Sequence, residues 1–355
     1  MTLFLEEICR LLEAGNELAV LTIASQSGST PRESGAKMAV LRDGSIVGTV
    51  GGGLVEAQCM RLGRVLLEEP TASSSASEAN AAVCHFDLTN EQAAKAAMVC
   101  GGRLTVVAER FSPPPPHAAD EKHSGYAALC HVRNILRTGQ PCGLKTTYAW
   151  VGSPPRNLAE SRTGMHSMRV TAHRLVPPMA TAQAMLACPE TGCQFSENFA
   201  PPPRLFIFGA GHVAQPTAAF AAAVGFSVTV LDDREEFACP QRFPQAQTRV
   251  LCDFAHALAD VAILPDDSLV IMTRGHLHDR TVLRQALTTP ARYVGMIGSK
   301  SKRDTLYDSL RAEGVAEESI ARCHCPIGLP LGGRTPEEIG ISIVAELIRH
   351  RVAGA

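Results

Sequence analysis

The residues best suited to chemistry fall in a few short stretches. Gly209, Gly211 and Ala214 form G-x-G-x-x-A directly after the apolar run Leu205–Phe208, and Asp232 ends the next apolar run. Between a strand and a helix, the first glycine permits a tight turn and the second lets backbone approach a pyrophosphate. The small third residue lets the helix pack, and the acid can accept from a ribose hydroxyl. The same glycines would also serve a βαβ unit that needs them only for packing. Gly51, Gly52 and Gly53 precede a helical pattern beginning near Leu54, so their N–H groups could hold an anion, and the same glycines would equally serve a tight connection without ligand. Gly298, Ser299, Lys300, Ser301, Lys302 and Arg303 open another helix with three cations, an arrangement that opposes the helix dipole unless an anion offsets it.

Three further groups carry reactive side chains. Thr273–Asp279 is read as a loop bringing His276, His278 and Asp279 together. Metal binding and acid–base work are both chemically possible for such a set, and a polar loop capping the next helix accounts for the same residues; ligand contact is favoured over metal, because two imidazoles and one carboxylate leave a coordination sphere incomplete. Cys100 precedes Gly101 and Gly102, which leave a thiol accessible, although the usual cysteine is buried and inert. Cys323 and Cys325 flank His324; a C-x-C pair binds soft metals or carries sulfur, yet strand-end cysteines without function are commoner. Cys188 and Cys193 lack C-x-x-C spacing and read as part of a loop. No resident metal is expected.

The elements that must position these groups follow from periodicity and breakers. Residues 1–15 form an amphipathic helix, Leu18–Ser25 a strand, and Met38–Leu41 and Ser45–Val50 a hairpin across Asp43-Gly44. Thr71–Asn80 is low in complexity, and Ser112–Ser124 is a proline-rich linker. A short strand at Cys84–Leu88, a strand at Arg103–Ala108, a helix at Gly125–Arg137 and a strand at Gly143–Trp150 follow the same logic, while the segment from there to Pro203 shows no clear element. The triple proline Pro201–Pro203 marks a boundary. The fold class is therefore α/β: a mixed α+β domain over 1–200, then a Rossmann-like doubly wound parallel sheet over 201–355, with strands near Ser227–Leu231, Thr248–Cys252, Ser268–Thr273 and Arg292–Ile297. Thr335, Pro336 and Glu338 form a capping box opening the last helix.

Composition narrows the classes. The chain has 355 residues, 45% of them hydrophobic and 19% charged, with 33 Lys and Arg against 35 Asp and Glu. That balance supplies no net basic field for nucleic acid. The acidic amphipathic N-terminal segment differs from a secretion signal, and no run is long enough to cross a bilayer, so a cytoplasmic protein with mostly free thiols among its twelve cysteines is expected. Apolar faces in the N-terminal half make a homodimer plausible.

Assembled in order, the motifs resemble the XdhC/CoxI family, accessory proteins for molybdenum hydroxylases. The resemblance rests on Gly28–Arg32, Asp43-Gly44, Gly51-Gly52-Gly53-Leu54-Val55-Glu56, Cys100-Gly101-Gly102 and Phe208–Val213 with His212. It continues through Asp232, Arg274-Gly275-His276 with Asp279, Gly295–Lys300, and Pro326–Leu329 through Glu346. It implies a protein that binds molybdenum cofactor (molybdopterin) as cargo, protects it while a cysteine desulfurase supplies its sulfido ligand, and helps insert it into an apoenzyme of the xanthine dehydrogenase type. The implied cofactor-binding residues are Gly51, Gly52, Gly53, Glu56, Gly209, Gly211, His212, Asp232, Gly298, Ser299 and Lys300, with Cys100, His276 and Asp279 as reactive groups. Some members carry a cysteine after the N-terminal glycines; here Leu54 stands there, which excludes a persulfide relay at that position. A competing expectation is an NAD(P)-dependent oxidoreductase using Gly209, Gly211 and Asp232 for the dinucleotide and His276 for acid–base work. A third is a scaffold whose glycines are architectural.

Overall fold

The computed structural model describes residues 2–28, 33–68, 79–87, 102–114, 125–152, 164–180, 183–251, 253–259 and 261–353; at positions 2, 164, 276, 277 and 353 only the backbone is described. Cys100 and the segment Ser29–Arg32 lie outside the described residues. The chain divides into two compact units, Met1–Pro201 and Pro202–Ala355.

The first unit is built on a nine-stranded antiparallel sheet. Its strands are β1 (Leu18–Gly28), β2 (Lys37–Leu41), β3 (Ile46–Gly48), β4 (Ala81–Asp87), β5 (Gly102–Phe111), β6 (Cys142–Trp150), β7 (Gly164–Val176), β8 (Ala184–Ala187) and β9 (Gly192–Phe199). They lie in the order β3-β2-β1-β5-β4-β7-β6-β9-β8. Alternation assigns their two faces. Ala19, Leu21, Ile23, Met38 and Val40 pack under helix α2 (Gly53–Glu68) through Val55, Cys59, Leu62 and Leu66. Leu18, Ala39 and Leu41 face the other way, onto Leu5, Ile8 and Leu12 of α1 (Thr2–Glu13) and Leu129, Val132 and Leu136 of α3 (Gly125–Arg137). Cover on both faces explains why β1 reads as a nearly unbroken apolar run.

The stretch after Trp150 departs from the sequence expectation, because β7, β8 and β9 complete the sheet there. β7 carries Arg169, Thr171, His173 and Arg174, so its polar residues dilute the period-2 signal, and it forms by pairing β4 on one side and β6 on the other. Cys188 and Cys193, expected in a loop with free thiols, bracket the turn between β8 and β9 and are joined as a disulfide. Hairpin closure brings together two residues that their spacing alone leaves unconnected.

The same sheet buries charge. Glu109, 7% exposed, accepts from the Tyr148 hydroxyl at 3.1 Å and pairs with His173 Nε2 at 2.6 Å. Lys37 bonds Thr22 Oγ1 at 2.8 Å and pairs with Glu197. Burial alone would lower the His173 pKa, but the Glu109 charge and hydrogen bond outweigh it and raise the value.

The second unit is a six-stranded parallel sheet of β10 (Arg204–Phe208), β11 (Ser227–Asp232), β12 (Gln247–Val250), β13 (Ser268–Ile271), β14 (Tyr293–Met296) and β15 (Cys323–His324). The order β12-β11-β10-β13-β14-β15 is the doubly wound Rossmann order, with its switch point between β10 and β13. Phe206, Phe208, Leu269, Ile271, Val294 and Met296 face α5 (His276–Leu287) and α6 (Lys300–Ala312). Leu205, Ile207, Val270 and Tyr293 face the opposite layer, α4 (Ala214–Ala223) and the last helix, α8 (Pro336–Ala353); between α6 and α8 lies the one-turn α7 (Glu317–Ile320). α8 approaches α4 closely at Gly340, where a Cβ would lie 3.1 Å from the Thr217 nitrogen.

Gly209 has φ +110°, and a Cβ there would meet the Met272 carbonyl oxygen at 2.3 Å. Gly209→Ala is therefore expected to cost about 3 kcal/mol or more of stability, read by urea denaturation. Because the folded pKa of His173 is raised, the Glu109–His173 pair stabilises fully below the ordinary histidine value of about 6.5 and fades as pH rises through the raised one. The stability difference between the wild type and Glu109→Gln should then shrink from pH 6 to pH 8 by on the order of 1 kcal/mol; a constant difference would refute the linkage.

Candidate functional site

In a parallel sheet every strand ends at the same edge, so the loops after Phe208, Asp232, Ile271 and Met296 gather on one rim of the second unit. The turn after β10 is clamped from both sides. The Gly209 N–H donates to the Leu231 carbonyl at 2.7 Å, the Ala210 N–H to Asp232 Oδ2 at 2.7 Å, and Arg242 Nη2 to the Ala210 carbonyl at 3.2 Å. Asp232 is 1% exposed and also accepts from Arg234 Nε at 2.8 Å and Nη2 at 2.9 Å. Burial would raise its pKa, but the Arg234 bonds and the Ala210 N–H hold the carboxyl below the usual range. Both oxygens expected to meet a ribose are thus engaged by the protein. The guanidinium groups of Arg234 and Arg242 lie 3.7 and 4.8 Å from the centre of the Phe237 ring, within cation–π range. Gly211 stands apart: a Cβ there would meet no atom of the described residues within 4 Å, and His212 beside it is exposed.

The segment Thr273–Asp279, expected as a loop, is helical from His276. Gly275 at φ +96° is its N-cap, and Asp279 lies in the first turn of α5, where a negative charge suits the dipole. Asp279 is fully buried, accepts from the Thr273 N–H at 3.1 Å and hydroxyl at 2.6 Å, and pairs with Lys302. Its neighbours are protein groups. Arg274 Nη2 donates to Asp233 Oδ2 at 2.7 Å, tying the loop after β13 to that after β11. The His276 side chain lies outside the described residues.

At the third loop Ser299 caps α6, its Oγ accepting from the Lys302 N–H at 3.1 Å. The three cations read together from sequence separate in space. Lys302 turns inward to Asp279, Arg303 pairs with Asp304 at 2.7 Å, and Lys300 is exposed. Ser299, Ser301, Lys302, Thr305 and Arg280 line an open groove of about 590 Å³.

In the first unit Gly51, Gly52 and Gly53 all have positive φ and lead into α2. Glu56 folds back over them, accepting from the Thr49 hydroxyl and from the Gly52 N–H at 3.3 Å. The helix terminus that the glycines were expected to offer to an anion is therefore compensated by the protein's own carboxylate. Burial pushes the thiols of Cys59 and Cys323 up to about 12 and those of Cys84 and Cys325 up to about 11, with Arg303 and Lys302 opposing the shift at Cys325. Such groups are protonated at neutral pH and poor nucleophiles. Sequence reasoning missed Lys302 as the partner of Asp279, and Arg234 and Arg242 as the clamps of the glycine turn. Arg234 does follow the two acids directly, the one local signal that was there to read.

Comparison with known proteins gives consistent relatives for both units. Residues 205–347 match the model described as the XdhC Rossmann domain, and residues 11–73 that of the XdhC and CoxI family. A Bacillus subtilis protein described as a probable subunit of xanthine dehydrogenase is 26% identical over 96% of this chain and 95% of its own. An Escherichia coli protein described as the molybdenum cofactor insertion chaperone PaoD is 23% identical over 96% of this chain and 86% of its own. The uncharacterised Escherichia coli protein YqeB is 28% identical over 97% of this chain, which spans only 45% of that relative's length. A crystal structure described as a xanthine dehydrogenase from Bacillus halodurans shares the fold, with a TM-score of 0.74 at 24% identity over 99% of this chain and 96% of that one.

The two lysines of the third loop should separate cleanly in mutagenesis. Lys302→Ala leaves the buried Asp279 carboxylate without its counter-ion and is expected to cost about 3 kcal/mol, whereas Lys300→Ala at an exposed position should stay within about 0.5 kcal/mol. Thermal denaturation of both variants measures the contrast.

Proposed function

The chain belongs to the XdhC and CoxI family, and on that premise we propose that it binds molybdenum cofactor, shelters it while a cysteine desulfurase supplies the sulfido ligand, and hands it to a hydroxylase apoenzyme of the xanthine dehydrogenase type. The observation that carries the reading is Gly211: a turn clamped rigidly at Gly209 and Ala210 leaves open space at the one position where a side chain would obstruct an approaching phosphate or pyrophosphate. Molybdopterin carries a phosphate, or a pyrophosphate when a nucleotide is attached, so the Rossmann order and the cargo call for the same backbone feature. His212, Ser299 and the exposed Lys300 supply polar and cationic groups on the same unit. Gly298 leads into that cap; Gly51, Gly52, Gly53 and Glu56 of the first unit are proposed as cofactor-contacting residues on that unit alone, where Glu56 is held by Thr49 and Gly52. Cys100 is the proposed sulfur-handling thiol, and His276 and Asp279 border the rim. The insertion chaperone among the relatives, matched along nearly the whole chain, supports the same role.

Among the described residues no helix is long and apolar enough to cross a membrane. The sequestered carboxylate of Asp232 weakens the dehydrogenase alternative, since its oxygens are taken by Ala210 and Arg234.

Gly211→Ala separates ligand binding from folding, because its Cβ meets no protein atom. The full-length variant should keep wild-type thermal stability within about 0.5 kcal/mol and retain at least tenfold less molybdenum cofactor, measured as released pterin fluorescence after removal of unbound ligand. Lys300→Ala should weaken retention, and Cys100→Ala should reduce activation of the partner hydroxylase while leaving pterin retention intact. Retention of nicotinamide dinucleotide without pterin by the wild type would overturn the reading.

A further inference from the structure

A second cluster lies between the edge strand and the last helix of the C-terminal unit. His324 on β15 and Glu346 and His350 on α8 each present a ligand atom, and these atoms all lie within 4.8 Å of one another. Glu346 and His350 are four residues apart, so one helical turn puts them on the same face. His324 Nδ1 is 3.9 Å from Glu346 Oε1, the imidazole rings of His324 and His350 meet edge to face at 4.5 Å, and His350 Nε2 is buried without a hydrogen-bond partner among the described residues. A buried imidazole nitrogen with no partner loses its solvation and gains nothing in return, an arrangement that a ligand would relieve.

The surroundings hold these groups in place. Tyr293 stacks on His324 at 4.9 Å and lies 5.0 Å from His350, while its hydroxyl donates to Glu346 Oε2 at 2.8 Å. The Gly328 N–H donates to the same oxygen at 2.6 Å. Oε2 is thereby fixed and Oε1 is directed toward His324. Arg349 Nη2 also reaches Oε1, at 3.2 Å, but its side chain is 58% exposed and can turn into solvent. The neighbouring thiols take no part: Cys323 and Cys325 pack in the hydrophobic layer with α5 and α6, whereas Tyr293 belongs to the opposite layer.

We propose that His324, Glu346 and His350 bind a divalent late first-row transition ion, which fastens the last helix to the edge strand and to the loop containing Gly328. The same residue types strung along Thr273–Asp279 do not converge, since Asp279 there is taken by Thr273 and Lys302; here the three ligand atoms meet in space, and two imidazoles and one carboxylate make a nitrogen-rich, borderline set that favours zinc, cobalt, nickel or copper over magnesium or calcium, with solvent filling the remaining positions. Tyr293 and Gly328 act as the outer partners that orient the ligating carboxylate. Ligand atoms around a tetrahedral zinc ion lie about 3.3 Å apart, so the widest pair closes by about 1.5 Å on binding, a movement that side-chain rotation supplies.

The test uses the full-length protein stripped with a chelator and titrated with zinc against a chromophoric competitor, alongside cobalt spectroscopy. The expected result is uptake of about one equivalent of zinc, a rise in melting temperature, and a cobalt spectrum without thiolate charge transfer. His350→Ala and His324→Ala should each weaken zinc binding by roughly tenfold or more and abolish the thermal shift; His350→Ala breaks no hydrogen bond at the buried Nε2, and circular dichroism of the metal-free variant checks that it is folded. The proposal is overturned by absence of zinc uptake, by unchanged affinity in both variants, by thiolate charge transfer in the wild type, or by uptake of magnesium in preference to zinc.

Discussion

The carboxylate of Asp232 is the constraint on which the C-terminal rim depends. It sits at the end of β11, buried, and holds the Ala210 N–H of the turn that follows β10, so the end of β11 is tied to the glycine turn. Arg234 neutralises it and Arg242 grips the carbonyl of the same residue. A turn fixed at three points presents its open side at Gly211, and a preorganised backbone of this kind would lose little entropy on binding the proposed phosphate. An acid of the kind that elsewhere faces a ligand has here been placed in the foundation of the site.

The same economy recurs elsewhere. Asp279 and Lys302 join the starts of α5 and α6, Arg274 and Asp233 join two rim loops, and Glu56 closes over the glycines of the first unit. Each pair fixes the position of a loop that sequence alone presents as a free cluster of charge. Among the described residues, what is left toward solvent at the rim includes the Gly211 backbone, His212, the Ser299 cap, Lys300 and part of the Arg274 side chain. Such a rim fits the proposed binding of a phosphate-bearing ligand.

The first unit shows how burial on both faces changes what is legible. β1 and β2 are apolar on each side because α2 covers one face and α1 and α3 the other, and their runs stand out in the sequence. β7 carries polar residues whose partners, such as Glu109 for His173, come from strands distant in the chain. Its strand character comes from pairing with β4 and β6, and local periodicity contains little of it. The disulfide between Cys188 and Cys193 depends likewise on the hairpin that β8 and β9 form.

Local pattern was enough to determine the doubly wound C-terminal sheet, its glycine turn, the Asp43-Gly44 hairpin and the family, because those features are encoded by residues adjacent in the chain: apolar runs, a turn that only glycine tolerates, and a capping box. Tertiary structure alone decided which charges stay available. Whether Asp232 faces a ribose or an arginine, whether Lys300 or Lys302 reaches outward, and whether His324 meets His350 all depend on side chains brought together from different elements. Their interaction falls off within a few ångströms in space, and separation along the chain carries no record of it.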